Sequence, residues 1–139
     1  MHCIAYKAGY KYQLQRPYVD TIPIYPSASI ATPFIGLRAN GGLSIRAGYA
    51  WDGPSGPTID TNSFMRGSLV HDALYQLMRI GLLDPAKHRE SADKILRRYC
   101  LTDGMSRIRA AWVYHGVRLG GRYAVRPQSG RVVIYAPEA

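Results

Sequence analysis

Residues 51–75, WDGPSGPTIDTNSFMRGSLVHDALY, contain the point where the chain changes from strand-like to helical periodicity. Before residue 64, Tyr, Ile, Thr and Pro dominate, and short alternating pieces predict strands. From residue 64 onward the apolar residues recur with the period of an amphipathic helix. We therefore predict one α+β domain, with a small antiparallel sheet in residues 1–63, about three helices in residues 64–121, and a tail with a short strand in residues 122–139.

The predicted strands lie at residues 11–15, 34–39 and 43–46, and a closing strand is predicted at residues 132–135. The step Asn40-Gly41-Gly42 is a strong hairpin signal between two of these strands. The irregular stretch from residue 49 to residue 62 is the longest in the pattern.

Three helices are predicted from apolar stripes and from residues that favour helix ends. The first ends near Gly81, and the second begins at Asp84-Pro85 and ends at Gly104. The third begins at Ser106 and precedes Gly120-Gly121. The three stripes are Leu69, Val70, Ala73, Leu74 and Leu77; Ala92, Ile95, Leu96, Tyr99 and Cys100; and Ile108, Ala111, Trp112, His115 and Leu119.

The composition limits the class of protein. With 139 residues, 47% of them hydrophobic, the chain suits one domain with a real core. Its apolar runs are far shorter than the roughly 20 residues of a membrane span, and the first residues lack the apolar centre of a signal peptide, so we expect the protein to be cytosolic at synthesis. Cys3 and Cys100 show no thiol or zinc motif, and both are interpreted as buried or incidental.

The charge is strongly positive. The net charge is +9, and residues 97–131 hold eight arginines against one acidic residue, Asp103. Such a field favours anionic membranes or nucleic acid as partners. No basic motif with interleaved aromatics and no groove-reading helix is visible, so nucleic acid is the weaker interpretation.

Candidate site residues lie on the first two helices. His71 and Tyr75 are four residues apart and therefore neighbours, whereas Asp72 points about 100° further round the helix. Asp93 lies at the edge of the second stripe, so two packed helices could bring it to His71. A carboxylate there would fix the tautomer of the imidazole.

The Gly/Pro loop before the first helix supplies oxygen ligands. Asp52, the backbone carbonyls around Gly53 and Gly56, and the Asp72 carboxylate together suit a hard cation such as calcium. A metal beside a histidine that activates water is a recognised arrangement for ester hydrolysis.

Over nearly its whole length the chain resembles a family of short bacteriophage and prophage proteins classed as a domain of unknown function. The resemblance lies in Gly48-Tyr49-Ala50-Trp51-Asp52-Gly53-Pro54-Ser55-Gly56-Pro57, His71-Asp72-Ala73-Leu74-Tyr75, Ala92-Asp93, and Tyr114 with Val117-Arg118-Leu119-Gly120. It implies a phage or prophage origin and no defined activity.

A second, local resemblance covers about residues 49–100. The order Asp52-Gly53-x-Ser55-x-Pro57, Phe64, His71-Asp72-x-x-Tyr75 and Asp93 is similar to the site of secreted calcium-dependent phospholipases, particularly small bacterial and fungal ones. The resemblance implies the following roles: His71 as base for water, Asp72 with the 52–56 loop as calcium ligands, Asp93 orienting His71, and Tyr75 hydrogen-bonding Asp93. Those enzymes attach the loop to the helix by a disulfide, and here Pro54 and Ser68 stand at its two positions.

Other interpretations stay open. A His-Asp pair is also the centre of HD-type phosphohydrolases, but the only upstream histidine is His2. Asp93 could simply pair with Arg89 or Arg97 on its own helix. The two leading hypotheses are a calcium-dependent lipid esterase used by a phage in penetration or lysis, and a non-catalytic virion or assembly protein, as in a tail or tail tip. In the second, the same residues form a buried polar network among phage structural proteins.

Overall fold

A computed structural model of the chain describes residues 4, 6–7, 12–51 and 62–125. The chain divides into two compact units, Met1–Asp52 with Val132–Ala139, and Gly53–Arg131. The described strands lie in the first unit and the three helices lie in the second. The predicted α+β class is confirmed, whereas the predicted strand at residues 132–135 and the loop at residues 52–61 lie outside the described residues.

The described strands form two small antiparallel sheets, where the sequence predicted one. The three-stranded sheet has the order β1 (Tyr6–Lys7), β2 (Tyr12–Leu14), β7 (Ala50–Trp51). The four-stranded sheet has the order β3 (Tyr18–Thr21), β6 (Gly42–Ile45), β5 (Ile35–Leu37), β4 (Ile30–Ala31). The strands that were not predicted, β1, β3, β4 and β7, are two to four residues long, too short for a period of two to be recognisable.

One face of the four-stranded sheet is apolar. Ile35 pairs with Ile45 and Leu37 pairs with Leu43, and all four side chains are buried. The predicted hairpin turn joins these strands. At the turn Gly41 has φ 90°, and a Cβ there would meet the Ile22 carbonyl oxygen. The turn therefore needs glycine at this position.

All three helices begin close to the predicted places, and α1 and α2 also end there. They are α1 (Asn62–Arg79), α2 (Pro85–Thr102) and α3 (Arg107–Ala124). Asp84 caps α2 by accepting a hydrogen bond from the Ala86 amide at 3.0 Å, and Gly81 follows α1 with φ 81°. The stripes predicted for α1 and α2 are buried throughout.

Helix α3 differs from its prediction in two respects. It continues through Gly120-Gly121 to Ala124 instead of ending before the glycines. Its predicted stripe is not buried either, because Ile108, Trp112 and Leu119 are exposed. The buried side of α3 carries smaller residues: Ala110 is fully buried, and Val113 and Val117 pack on a cluster of Phe64, Leu96, Cys100 and Met105.

Close packing and a bidentate ion pair at the end of α2 hold α1 against α2. A Cβ on Gly67 would lie 2.9 Å from Leu96 Cδ1 and 3.3 Å from the Leu96 carbonyl oxygen. Arg66 donates to both carboxylate oxygens of Asp103, at 3.0 and 2.9 Å, and lies over the Tyr99 ring. These contacts fix the relative position of the two helices that carry the candidate site.

Candidate active site

The centre of the candidate site is the fully buried carboxylate of Asp93 on α2. Its Oδ1 lies 2.7 Å from His71 Nε2 and accepts a hydrogen bond from the Tyr75 hydroxyl at 2.5 Å. The structure therefore brings together His71, Tyr75 and Asp93, the three residues predicted to carry catalysis. Asp93 lies inside the helical unit, whereas the sequence placed it at the edge of a stripe.

Two arginines lie beside the second carboxylate oxygen of Asp93. The sequence did not assign either of them to the site. Arg118 on α3 donates from Nη1 to Asp93 Oδ2 at 2.9 Å, and Arg89 Nη1 lies 3.6 Å from the same oxygen. The sequence pattern counted Arg118 among the arginines of a basic surface and treated Arg89 as an ordinary helix-face partner. The spacing of Arg118 to Asp93 does not identify it, because the orientation of α3 does not follow from the sequence. The signal that pointed to Arg118 is its place in Val117-Arg118-Leu119-Gly120, one of the sequences that carry the resemblance to phage proteins.

Gly121 lets α3 approach this cluster. A Cβ there would meet the Tyr75 hydroxyl and would lie 3.0 Å from Tyr75 Cε2 and 3.1 Å from Arg89 Nη1. The Arg89 guanidinium also donates long hydrogen bonds to the carbonyls of Val117 and Arg118, at 3.4 and 3.5 Å. Glycine is thus required for contact between α3 and the site, although the sequence suggested a helix end there.

The second ring nitrogen of His71 lies on the side of Asp72. His71 Nδ1 is 4.0 Å from Asp72 Oδ1, and the Asp72 side chain is 31% exposed whereas that of His71 is 8% exposed. Because Asp93 is an acceptor for Nε2–H, the tautomer that it stabilises leaves the lone pair on Nδ1. Asp93 thus contacts Nε2 of the imidazole, and Asp72 lies on the side of Nδ1.

Burial and charge shift the ionisation of the cluster. Burial is the largest influence on His71 and disfavours its charged form, but Asp72 and Asp93 together outweigh it and raise the pKa of His71. Burial disfavours the Asp93 carboxylate, yet hydrogen bonds from His71 and Tyr75 lower the pKa of Asp93. Burial and Asp93 raise the pKa of Tyr75. Tyr75 therefore stays a donor, and neutral His71 prevails only above its raised pKa.

Only part of the predicted calcium site lies among the described residues. Asp52, Gly53 and Gly56 lie outside them, and Asp72 lies within. Within residues 12–51 and 62–125, no group of three or more His, Cys, Asp or Glu side chains could hold a metal. The half-exposed Asp72 carboxylate fits calcium as one hard oxygen ligand, and the remaining ligands were predicted from the 52–56 loop.

Comparisons of the chain with protein families, curated proteins and solved structures find no match. No described helix is long and apolar enough to cross a membrane. The geometry around Asp93 is therefore the main basis for inferring a function.

Proposed function

We propose that the chain is a phage or prophage lipid esterase that depends on calcium and uses His71 as the general base. The observation that carries the proposal is the contact of His71 Nε2 with the fully buried Asp93. A carboxylate on one ring nitrogen orients the imidazole and increases the basicity of the other. The phage origin rests on the resemblance of the WDGPSGP loop, the HDALY helix and the VRLG sequence to phage proteins.

In the proposed reaction, His71 Nδ1 removes a proton from water, and the water oxygen attacks the ester carbonyl carbon. The acyl carbon–oxygen bond of the alcohol then breaks, and the proton held on Nδ1 passes to the leaving alkoxide. Asp93 keeps Nε2–H in place during both transfers and stabilises the imidazolium. Tyr75 and Arg118 hold the Asp93 carboxylate by donating to its two oxygens.

Calcium would be held by Asp72 with the 52–56 loop. When bound, such an ion polarises the ester carbonyl and stabilises the oxyanion. The position of Asp72 beside Nδ1, and not beside Nε2, supports this assignment because the ligand then lies on the side where water is activated.

Fatty-acid release from liposomes containing anionic phospholipid, followed during a calcium titration, tests the proposal. We expect calcium-dependent release by the wild type, and loss of release by about a hundredfold or more in His71→Ala and Asp72→Asn. His88→Ala is the matched control, because His88 lies on α2 and contacts none of the cluster through a described hydrogen bond. Equal release by all variants, or none by the wild type with a melting temperature that calcium does not change, would contradict the proposal.

The second candidate is a non-catalytic virion or assembly protein. Two observations favour it: His71 is only 7% exposed, and both oxygens of Asp93 already accept hydrogen bonds. A saturated buried network of this kind is also what a purely structural role requires. Detection of the protein in purified virions, together with absence of fatty-acid release, would select this candidate.

A further inference from the structure

The outer side of α3 carries three large apolar side chains in solvent. Ile108 is 76% exposed, Trp112 is 79% exposed and Leu119 is 78% exposed. Single exposed apolar residues are common on protein surfaces, but a row of them on one helix marks an interaction site.

These three residues form one narrow stripe. With about 100° per residue, Ile108, Trp112 and Leu119 fall within an arc of about 40° on the helix. Ala110 and Gly121, which are buried, lie on the opposite side of the helix. The stripe is therefore not an edge of the packed face. It is a second, largely apolar face that also contains exposed His115, and it is directed away from α1 and α2.

The charges beside the stripe indicate the chemistry of its partner. Arg107 and Arg109 are exposed and lie on either side of Ile108, each about 100° away. Helix α3 contains no acidic residue, and the chain carries a net charge of +9. A second copy placed on this face would bring like charges together. A nucleic-acid backbone would satisfy the arginines but would leave an apolar stripe uncovered.

We propose that this face of α3 docks on the surface of an anionic phospholipid membrane. The helix lies in the plane of the interface, with Ile108, Trp112 and Leu119 at the acyl boundary and the flanking arginines at the lipid phosphates. Tryptophan is the residue that interfaces favour, because one end of its ring is apolar and the other donates a hydrogen bond. The docking rests on the proposed function for its purpose, since it would bring the esterase to its substrate.

Tryptophan fluorescence reports this docking directly. The chain has two tryptophans, and Trp51 is only 3% exposed whereas Trp112 is 79% exposed. We expect the emission of the protein to shift to shorter wavelength with vesicles of equal parts phosphatidylglycerol and phosphatidylcholine, and not with phosphatidylcholine alone. A calcium chelator in the buffer keeps hydrolysis out of the measurement.

Co-sedimentation with the same vesicles quantifies the binding. The double variant Trp112→Ser/Leu119→Ser should lose at least about tenfold in vesicle affinity, because it removes two of the three apolar side chains. Leu82→Ser is the matched control, since Leu82 is 48% exposed in the turn between α1 and α2 and should bind as the wild type does. Melting temperatures of the variants check that they fold.

The outcomes separate the docking from the esterase proposal. His71→Ala should bind vesicles as strongly as the wild type does. A wild type that binds vesicles but releases no fatty acid in the presence of calcium supports the docking and rejects the esterase. Equal binding by the double variant and the wild type overturns the docking. The docking is also overturned if the wild type does not bind vesicles and the double variant loses dimerisation or oligonucleotide binding that the wild type shows.

Discussion

Asp93 connects all three helices through one carboxylate, because His71 and Tyr75 lie on α1 and Arg118 lies on α3. Removing its charge would leave a partly buried arginine and a buried histidine without their common partner. We expect Asp93→Asn to lower the free energy of unfolding by on the order of 3 kcal/mol at neutral pH. Urea denaturation measures this loss, and Glu90→Gln, at an exposed position on the same helix, should change it by less than about 0.5 kcal/mol.

The effect of Asp93→Asn should depend on pH. Burial opposes the carboxylate, but hydrogen bonds from His71 and Tyr75 place the pKa of folded Asp93 below its usual value. A group with a lowered folded pKa stabilises the protein above its unfolded pKa, about 4, and loses that contribution as the pH falls through the folded pKa. The difference in free energy of unfolding between the wild type and Asp93→Asn should therefore become smaller below about pH 4. A constant difference in free energy of unfolding from pH 6 to the acid transition would refute a pH-dependent contribution of Asp93 to stability.

Gly121 is a second residue on which the site depends. An alanine methyl group there would meet the Tyr75 hydroxyl and crowd Arg89, so either Tyr75 moves off Asp93 or α3 moves away. We expect Gly121→Ala to destabilise the protein by about 1–3 kcal/mol. In the proposed esterase it should also lower kcat.

Gly116→Ala is the matched control for this change. It lies on the same helix with nothing within 4 Å of an added Cβ, so better helix propensity should stabilise the protein by up to about 1 kcal/mol. Opposite signs for the two substitutions, measured by thermal unfolding, would support the close approach of α3. Equal stabilisation by both would show that α3 does not contact Tyr75.

At the scale of the elements, local signals predicted the helices well. Asp84 with Pro85 begins α2, and the glycine after α1 takes a positive φ, because caps and left-handed residues are set by the chain itself. The buried stripes of α1 and α2 also followed from periodicity. The contact of His71 with Asp93 could be predicted because both lie along the sides by which two such helices meet.

The orientation of α3 could not be predicted in the same way. Periodicity selects the larger apolar residues, Ile108, Trp112 and Leu119, whereas the neighbouring helices take the side with Ala110 and Gly121. The smaller side packs more closely, and this preference depends on the shape of α1 and α2, which the sequence of α3 does not contain. Arg118 was missed for the same reason, because its role follows from that orientation.

The packing of α1 on α2 gives a prediction for Gly67. An alanine Cβ would lie 2.9 Å from Leu96 Cδ1 and 3.3 Å from the Leu96 carbonyl oxygen. We expect Gly67→Ala to destabilise the protein by about 1–3 kcal/mol. A double-mutant cycle with Leu96→Ala measures the origin of the loss: if the clash is with the Leu96 side chain, the double variant should be more stable than the sum of the single effects predicts. Additive effects would assign the loss to the backbone contact.

At the scale of the whole molecule, salt should affect docking and catalysis differently, because docking depends on the excess of exposed positive charge. The net charge of +9 acts on an anionic vesicle over a Debye length of about 10 Å at 0.1 M salt, which falls to about 3 Å at 1 M. We expect sodium chloride to weaken vesicle binding over this range, and Arg107→Gln/Arg109→Gln to show a smaller salt effect than the wild type.

Hydrolysis of a dispersed short-chain ester should respond differently to the same salt. Its reaction uses His71 and the fully buried Asp93, and buried pairs are screened far less than exposed charges. With calcium saturating at every salt concentration, the rate per enzyme should therefore stay nearly constant from 0.1 to 1 M sodium chloride, while release from anionic vesicles falls. A parallel fall for both substrates would mean that salt acts on the site itself and that the basic surface does not deliver the protein to lipid.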